Sequence, residues 1–139
     1  MSTNKKVLYT AQVHTTGGRD GGTSKSSDGR LDIKHSLPGT PGTGTNPEQL
    51  FAAGWSACFE GAMGLAAKQM KIELPADRAI DAAVDLCLGD DGYSLQARLN
   101  ISLPGVPREV AEQVVATAHQ TCPYSKAIRD NVEVAISVL

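Results

Sequence analysis

Asn46-Pro47-Glu48-Gln49-Leu50-Phe51-Ala52-Ala53-Gly54-Trp55-Ser56-Ala57-Cys58-Phe59 begins as a helix must. Asparagine caps the orphan amides, proline is preformed for the first helical position, and Gln49, three residues after the cap, completes a capping box. The helix is expected to run to about Lys71. Along it Leu50, Phe51, Ala53, Gly54, Ala57, Cys58, Gly61, Ala62, Leu65 and Ala66 crowd more than one face. That pattern marks a buried helix in close packing rather than a surface helix with one apolar stripe. Gly54, Gly61 and Gly64 each lower helix stability, and the close approach of another backbone accounts for them.

Before this helix, residues 6–14 mix β-branched, aromatic and polar side chains and are read as a strand. A glycine-rich loop, Thr16-Gly17-Gly18-Arg19-Asp20-Gly21-Gly22, follows. Asp28-Gly29 then signals a hairpin, since both central positions of that turn tolerate positive φ, and a second short run from Leu31 to His35 returns from it. Ser36 to Thr45 is a Pro, Gly and Thr loop. Beyond the helix, Ile80, Ala82, Val84, Leu86 and Leu88 alternate with wetter residues. Leu95, Ala97, Leu99, Ile101 and Leu103 repeat the alternation after Gly89-Asp90-Asp91-Gly92, which predicts an antiparallel hairpin. Pro107 opens a second helix through about Gln120, a further turn of helix can start within Ser125 to Arg129, and Val132, Val134, Ile136 and Val138 form a closing strand. The order indicates an α+β domain, mainly antiparallel, spanning residues 1–139.

Composition narrows the function. The chain has 139 residues, 41% hydrophobic and only 4% aromatic, so a core of small aliphatic groups is expected. Thirteen basic against fifteen acidic side chains give a net charge of −2, which removes the electrostatic basis for nucleic-acid binding by the whole surface. No uninterrupted apolar run reaches the roughly 18 to 20 residues of a membrane span, and the first twenty residues have no apolar signal core. A cytoplasmic protein without a membrane partner is expected. Three widely spaced cysteines do not form the framework of a small secreted domain. They are free, catalytic or metal-binding.

Three side chains are capable of demanding chemistry, Cys58, Cys122 and Arg19, with an inert core cysteine at 58 and a solvated loop arginine at 19 as the plain alternatives. Cys58 lies so deep in the helix that its positive end is about 18 Å away, too far to lower the thiol pKa, so a reactive thiolate there needs a separate cation. Cys122, in Thr121-Cys122-Pro123-Tyr124-Ser125, stands where proline stops the preceding helix; an exposed, mobile cysteine at such a junction suits a resolving thiol, and one that merely packs is the plain alternative. Arg19 is the one cation of a loop otherwise built from small or acidic residues, and a guanidinium can hold a thiolate and several oxygens in fixed geometry. Glu48 suits the first helical turn by its charge alone; in a site it would orient Arg19.

Gly17-Gly18-Arg19-Asp20-Gly21, the segment Asn46 to Phe59 and Cys122-Pro123-Tyr124-Ser125-Lys126-Ala127, in this order and over nearly the whole chain, resemble the organic hydroperoxide resistance proteins, the Ohr branch of the Ohr/OsmC family. The resemblance implies an OsmC-like fold of antiparallel sheets around long central helices in an intertwined homodimer. It implies thiol-based reduction of organic hydroperoxides to alcohols with no bound cofactor or metal. Cys58 is then peroxidatic, Cys122 resolving, and Arg19 and Glu48 complete the catalytic set. An external dithiol, dihydrolipoamide or a lipoylated protein, is the implied reductant. Phe51, Trp55, Phe59 and Met63 are candidates for the apolar walls that favour organic peroxides, and Cys87 receives no role.

Ten residues on one straight helix separate Glu48 from Cys58 by about 15 Å, too far for one arginine head group to touch both. Either the helix bends sharply or a second subunit supplies Arg19 and Glu48, and the composite site is the expectation. Three other readings stay open: an OsmC-type peroxidase of different substrate preference, a non-enzymatic thiol switch or ligand-binding protein on the same fold, and a metal site from the cysteines with His14, His35 and His119. Of the last, only His119-x-x-Cys122 has zinc-like spacing, a weak signal by itself.

Overall fold

Short strands and glycine turns build the N-terminal part of the chain, and one long helix with a three-stranded sheet builds the rest. The computed structural model describes residues 4–139, which form two compact units, one ending at Pro47 and the other beginning at Glu48.

In the first unit β1 (Val13–Thr16), β2 (Thr23–Ser26) and β3 (Asp32–Lys34) form an antiparallel sheet in the order β1-β2-β3. The strand expected over residues 6–14 begins only at Val13. Pairing stops there because β2 ends at Ser26, its partner, and one further bond from the Ser27 amide to the Gln12 carbonyl closes the ladder. Val7, Leu8 and Tyr9 lie outside any strand and are 77%, 86% and 77% exposed. The Asp28-Gly29 hairpin forms, with a turn longer than a two-residue one. Only Gly29 has positive φ, and the Asp28 carboxylate accepts from Ser26 Oγ at 2.6 Å and from the Arg30 amide at 3.0 Å.

Helix α1 (Pro47–Met70), which lies in the second unit from Glu48 onward, starts at its proline and runs unbroken for 24 residues. It ends where Lys71 enters the left-handed region at φ 59°, letting the Ile72 amide reach back to the Ala67 carbonyl. Helix α1 is long and apolar enough to cross a membrane by length and composition. Its Trp55, Phe59, Ala62, Met63 and Ala66 instead join the core with Ala97, Leu99 and Ile101 of the sheet, so it is a core helix. Of its glycines, Gly54 faces the Tyr124 ring rather than a backbone, while a Cβ at Gly61 or Gly64 would meet nothing within 4 Å. The close approach expected there is not made within one chain.

The predicted hairpin is present as β4 (Ala79–Gly89) and β5 (Gly92–Ser102), in register from Ala79 opposite Ser102 to Gly89 opposite Gly92. Across it Arg98 Nη1 donates to Asp85 at 2.6 Å, and together with Gln96 it holds that carboxyl down to about 2. Two helices follow, α2 (Arg108–Thr121) and α3 (Pro123–Ile128), and then β6 (Glu133–Val138). Strand β6 lies parallel to β5, giving the order β4-β5-β6. The helical crossover between them is what a parallel neighbour requires. Helix α2 turns Ala111, Val114, Val115 and Ala118 inward against the sheet. At about 1.5–3 kcal/mol for each buried Val, Leu or Ile side chain, this layer supplies the main stabilising term of the unit.

Candidate active site

Helix α1 carries Cys58 on a partly buried turn between two side chains that are wholly buried, Trp55 and Phe59. Helix α2 delivers Cys122 to it. After Thr121 the chain leaves the helix, with Cys122 extended at φ −60° and ψ 123°, because Pro123 restricts the residue before it to that region. Pro123 then opens α3. The two sulfurs stand 3.4 Å apart, in hydrogen-bond contact, and both cysteines are free.

Of the two readings of its junction, an exposed, mobile thiol or one that packs, Cys122 takes the second. It is completely buried. Its amide donates to the Ala118 carbonyl at 2.8 Å and its carbonyl accepts from the Lys126 amide at 2.9 Å, so both helices hold it. The break in the helix aims the side chain inward instead of loosening it.

Burial pushes the Cys58 thiol up from its ordinary value. The Tyr124 backbone N–H opposes this by donating to the sulfur, and the Cys122 thiol beside it pushes it up again, as two groups competing to ionise in one place do. Tyr124 is in the first turn of α3, where an amide has no acceptor within its helix. Sequence reasoning gave Tyr124 no role; the signal was its place directly after Cys122-Pro123.

Around the dithiol the aromatic candidates divide. Trp55, Phe59 and Met63 are fully buried members of the core. Phe51 is partly exposed, edge-on to Trp55 at 6.3 Å and tilted against Tyr124 at 6.5 Å. Gly54 makes room for this: a Cβ there would stand 2.9 Å from the Tyr124 hydroxyl and 3.2 Å from its ring. Trp55 Nε1 donates to Ser125 Oγ at 3.1 Å, both side chains being completely buried, and so ties α1 to α3 beside the two sulfurs. Ser125→Ala leaves the indole N–H without that partner and is expected to lower stability by about 1–3 kcal/mol, read from denaturant unfolding.

His119 packs tilted against Phe59 at 6.5 Å. Burial, and then the charge of Arg129, lower its pKa, and Arg129 donates to the His119 carbonyl. Among the described residues no three His, Cys, Asp or Glu side chains gather as metal ligands. Cys87 lies on β4 opposite Ser94.

Glu48 is the second residue of α1 and Cys58 the twelfth, so the ten-residue spacing holds on one continuous helix, a rise of about 15 Å. Arg19 belongs to the first unit, exposed in the turn between β1 and β2. That turn folds back on itself through a bond from the Gly22 amide to the Gly18 carbonyl. A Cβ at Gly22 would lie 2.3 Å from the carbonyl oxygens of Gly18 and Thr16, so only glycine closes it.

The OsmC-like protein family profile matches residues 39–137. An organic hydroperoxide resistance protein of Xanthomonas axonopodis pv. citri is 45% identical over 142 residues, spanning 99% of this chain and 99% of its own. Among solved structures, the organic hydroperoxide resistance protein OhrB of Bacillus subtilis aligns with a TM-score of 0.89 at 41% identity, covering 96% of this chain and all of that one. An organic hydroperoxide resistance protein from Legionella pneumophila aligns at 0.88 and 42%, covering 96% and 98%. With its α+β architecture of two sheets and a long helix, the chain belongs to the OsmC-like family and, within it, to the organic hydroperoxide resistance proteins.

Proposed function

We propose that this protein is a cysteine-based peroxidase that reduces organic hydroperoxides to alcohols. The observation that carries the reading is the 3.4 Å contact of Cys58 with a buried Cys122. The names of its relatives supply the substrate class.

The Cys58 thiolate attacks the outer peroxide oxygen, the O–O bond breaks, and the departing alkoxide takes a proton to leave as alcohol. Cys58 is then a sulfenic acid. The Cys122 sulfur, already in contact, attacks it, and the Cys122 proton leaves with the sulfenic hydroxyl as water while a disulfide forms. A dihydrolipoyl dithiol, free or on a lipoylated protein, exchanges with that disulfide, regenerating both thiols and becoming oxidised itself. The ledge of Phe51 and Tyr124 gives an alkyl group an apolar surface. A transient disulfide of this kind is compatible with the cytoplasm.

Thiolate formation needs a cation, because burial and Cys122 together oppose it. Arg19 supplies the charge and meets the developing alkoxide, and Glu48 orients its guanidinium. The site is composite, completed in a homodimer. Two features support a second copy: the exposed Val7, Leu8 and Tyr9, and the exposed face of α1 with Ala53, Ala57, Gly61, Gly64 and Leu65.

Sustained consumption of cumene hydroperoxide with dihydrolipoamide as sole reductant tests the activity. Oxidation that stops at one equivalent per chain would point to a thiol switch. Assembly is tested with mixed dimers of Arg19→Ala and Cys58→Ser chains. Each parent homodimer is inactive, and the mixed dimer, holding one intact composite site of two, is expected to recover about half of the wild-type rate. No recovery at all would exclude supply in trans.

A further inference from the structure

Ser24 and His35, each only 6% exposed, form a buried polar contact in the first unit that the reaction above does not use. Ser24 Oγ lies 2.7 Å from His35 Nε2 and 2.7 Å from Thr15 Oγ1. Thr15 and Ser24 face each other across β1 and β2, two residues before and two residues after the 17–22 turn. The side-chain chain therefore ties the two stems of the turn that holds Arg19.

The backbone of His35 holds the same turn. Its N–H donates to the Gly22 carbonyl at 2.8 Å and its carbonyl accepts from the Gly21 amide at 3.1 Å. On its other side His35 bridges to Thr45, through the Ser36 amide to the Thr45 carbonyl and the Thr45 amide to the Lys34 carbonyl, both 2.9 Å. Thr45 is three residues before Glu48. One residue thus joins the turn bearing Arg19 to the segment that leads into Glu48.

Four of the six residues from 17 to 22 are glycine, and glycine loses more conformational freedom on ordering than any other residue. Such a turn keeps one shape only if its ends are fixed. An apolar side chain at 35 would fill the volume without the desolvation cost of an imidazole whose Nδ1 is buried without a hydrogen-bond partner among the described residues. What the polar chain adds is direction, since buried hydrogen-bond networks fix one geometry.

We propose that His35 is a positioning residue, which through Ser24, Thr15 and the Gly21 and Gly22 backbone holds the 17–22 turn in the shape that presents Arg19 to the Cys58 thiolate. The inference rests on the reading of Arg19 given above.

The test follows thiolate formation in the full-length protein, as the pH dependence of Cys58 alkylation by iodoacetamide, with the Cys58 peptide quantified by mass spectrometry. Arg19→Ala is expected to slow alkylation at pH 7 by about tenfold or more, equivalent to one pH unit or more in the profile. His35→Leu should slow it by about threefold to tenfold, and the double variant should be no slower than Arg19→Ala alone, as residues acting in series require. His35→Gln, which offers a polar atom at the reach of Nε2, should restore the rate to within about twofold of wild type.

An unmoved profile in His35→Leu beside a shifted one in Arg19→Ala overturns the proposal and leaves the reading of Arg19 standing, even if the melting temperature falls. Independent, additive losses in the double variant overturn it as well. An unmoved profile in Arg19→Ala sinks the reading of Arg19 and this inference with it. Should His35→Leu fail to fold, Ser24→Ala breaks the same chain from β2, and a profile in that variant identical to wild type overturns the proposal.

Discussion

Cys58→Ser protein is expected to consume cumene hydroperoxide at least about a thousandfold more slowly than wild type with dihydrolipoamide present, because an un-ionised hydroxyl is a poor nucleophile where a thiolate is a strong one. Little of the loss should be structural. Cys58 is only partly buried, and serine is close to it in size. Circular dichroism and the unfolding midpoint should therefore stay near wild type while peroxide consumption vanishes. A variant keeping more than about a tenth of the activity would assign the chemistry to another group.

Cys122→Ser should fail differently. The first oxidation still has its nucleophile, but the sulfenic acid formed on Cys58 has no thiol within reach. Sustained turnover with dihydrolipoamide is expected to fall by about a hundredfold, and mass spectrometry after excess peroxide should find Cys58 as sulfinic acid. The pH dependence has a definite sign. Cys122 raises the Cys58 pKa both through its hydrogen bond and as a competing ionisable group. Removing it moves the alkylation profile of Cys58 to lower pH, so the fraction ionised near neutrality rises as turnover falls. Burial still opposes ionisation in the variant, so the shift is downward without becoming complete. A profile displaced upward would contradict the geometry of the two sulfurs.

These opposite movements separate two roles that the sequence names only together. Arg19→Ala is expected to take ionisation away from Cys58, and Cys122→Ser to give some back. A purely structural account of either residue predicts no such contrast.

Much of the fold is legible residue by residue. Asn46-Pro47-Glu48-Gln49 starts α1 where the capping pattern places it, and the alternation from Ile80 to Leu103 yields β4 and β5. Both readings depend on neighbours within a few positions, where capping and periodicity act. The strand expected over residues 6–14 shrank to its last residues and grew past them to Thr16, because strand propensity without a partner strand forms no ladder. The turn at Asp28-Gly29 was legible as a hairpin but not as to type, since Ser26 and Asp28 side chains complete its hydrogen bonds.

The candidate site divides the same way. Cys58 and Cys122 stand out by residue type and by the motifs around them, whereas the Tyr124 amide on Cys58 and the burial of Cys122 were not visible. A backbone donor has no letter of its own, and Cys122-Pro123 reads equally well as a loose end or as a rigid corner.

By itself, then, the chain's order of residues determined where helices and strands begin, the small-residue character of α1 and which side chains carry reactive atoms, because each follows from local stereochemistry and side-chain chemistry. Tertiary structure decided that β6 runs parallel to β5, that α2 ends with Cys122 facing Cys58 across sixty-three intervening residues, and that Ser24 meets His35 at the base of the Arg19 turn. Such contacts are fixed by the packing of whole helices and sheets, whose free energy is shared among many residues and is written at no single position.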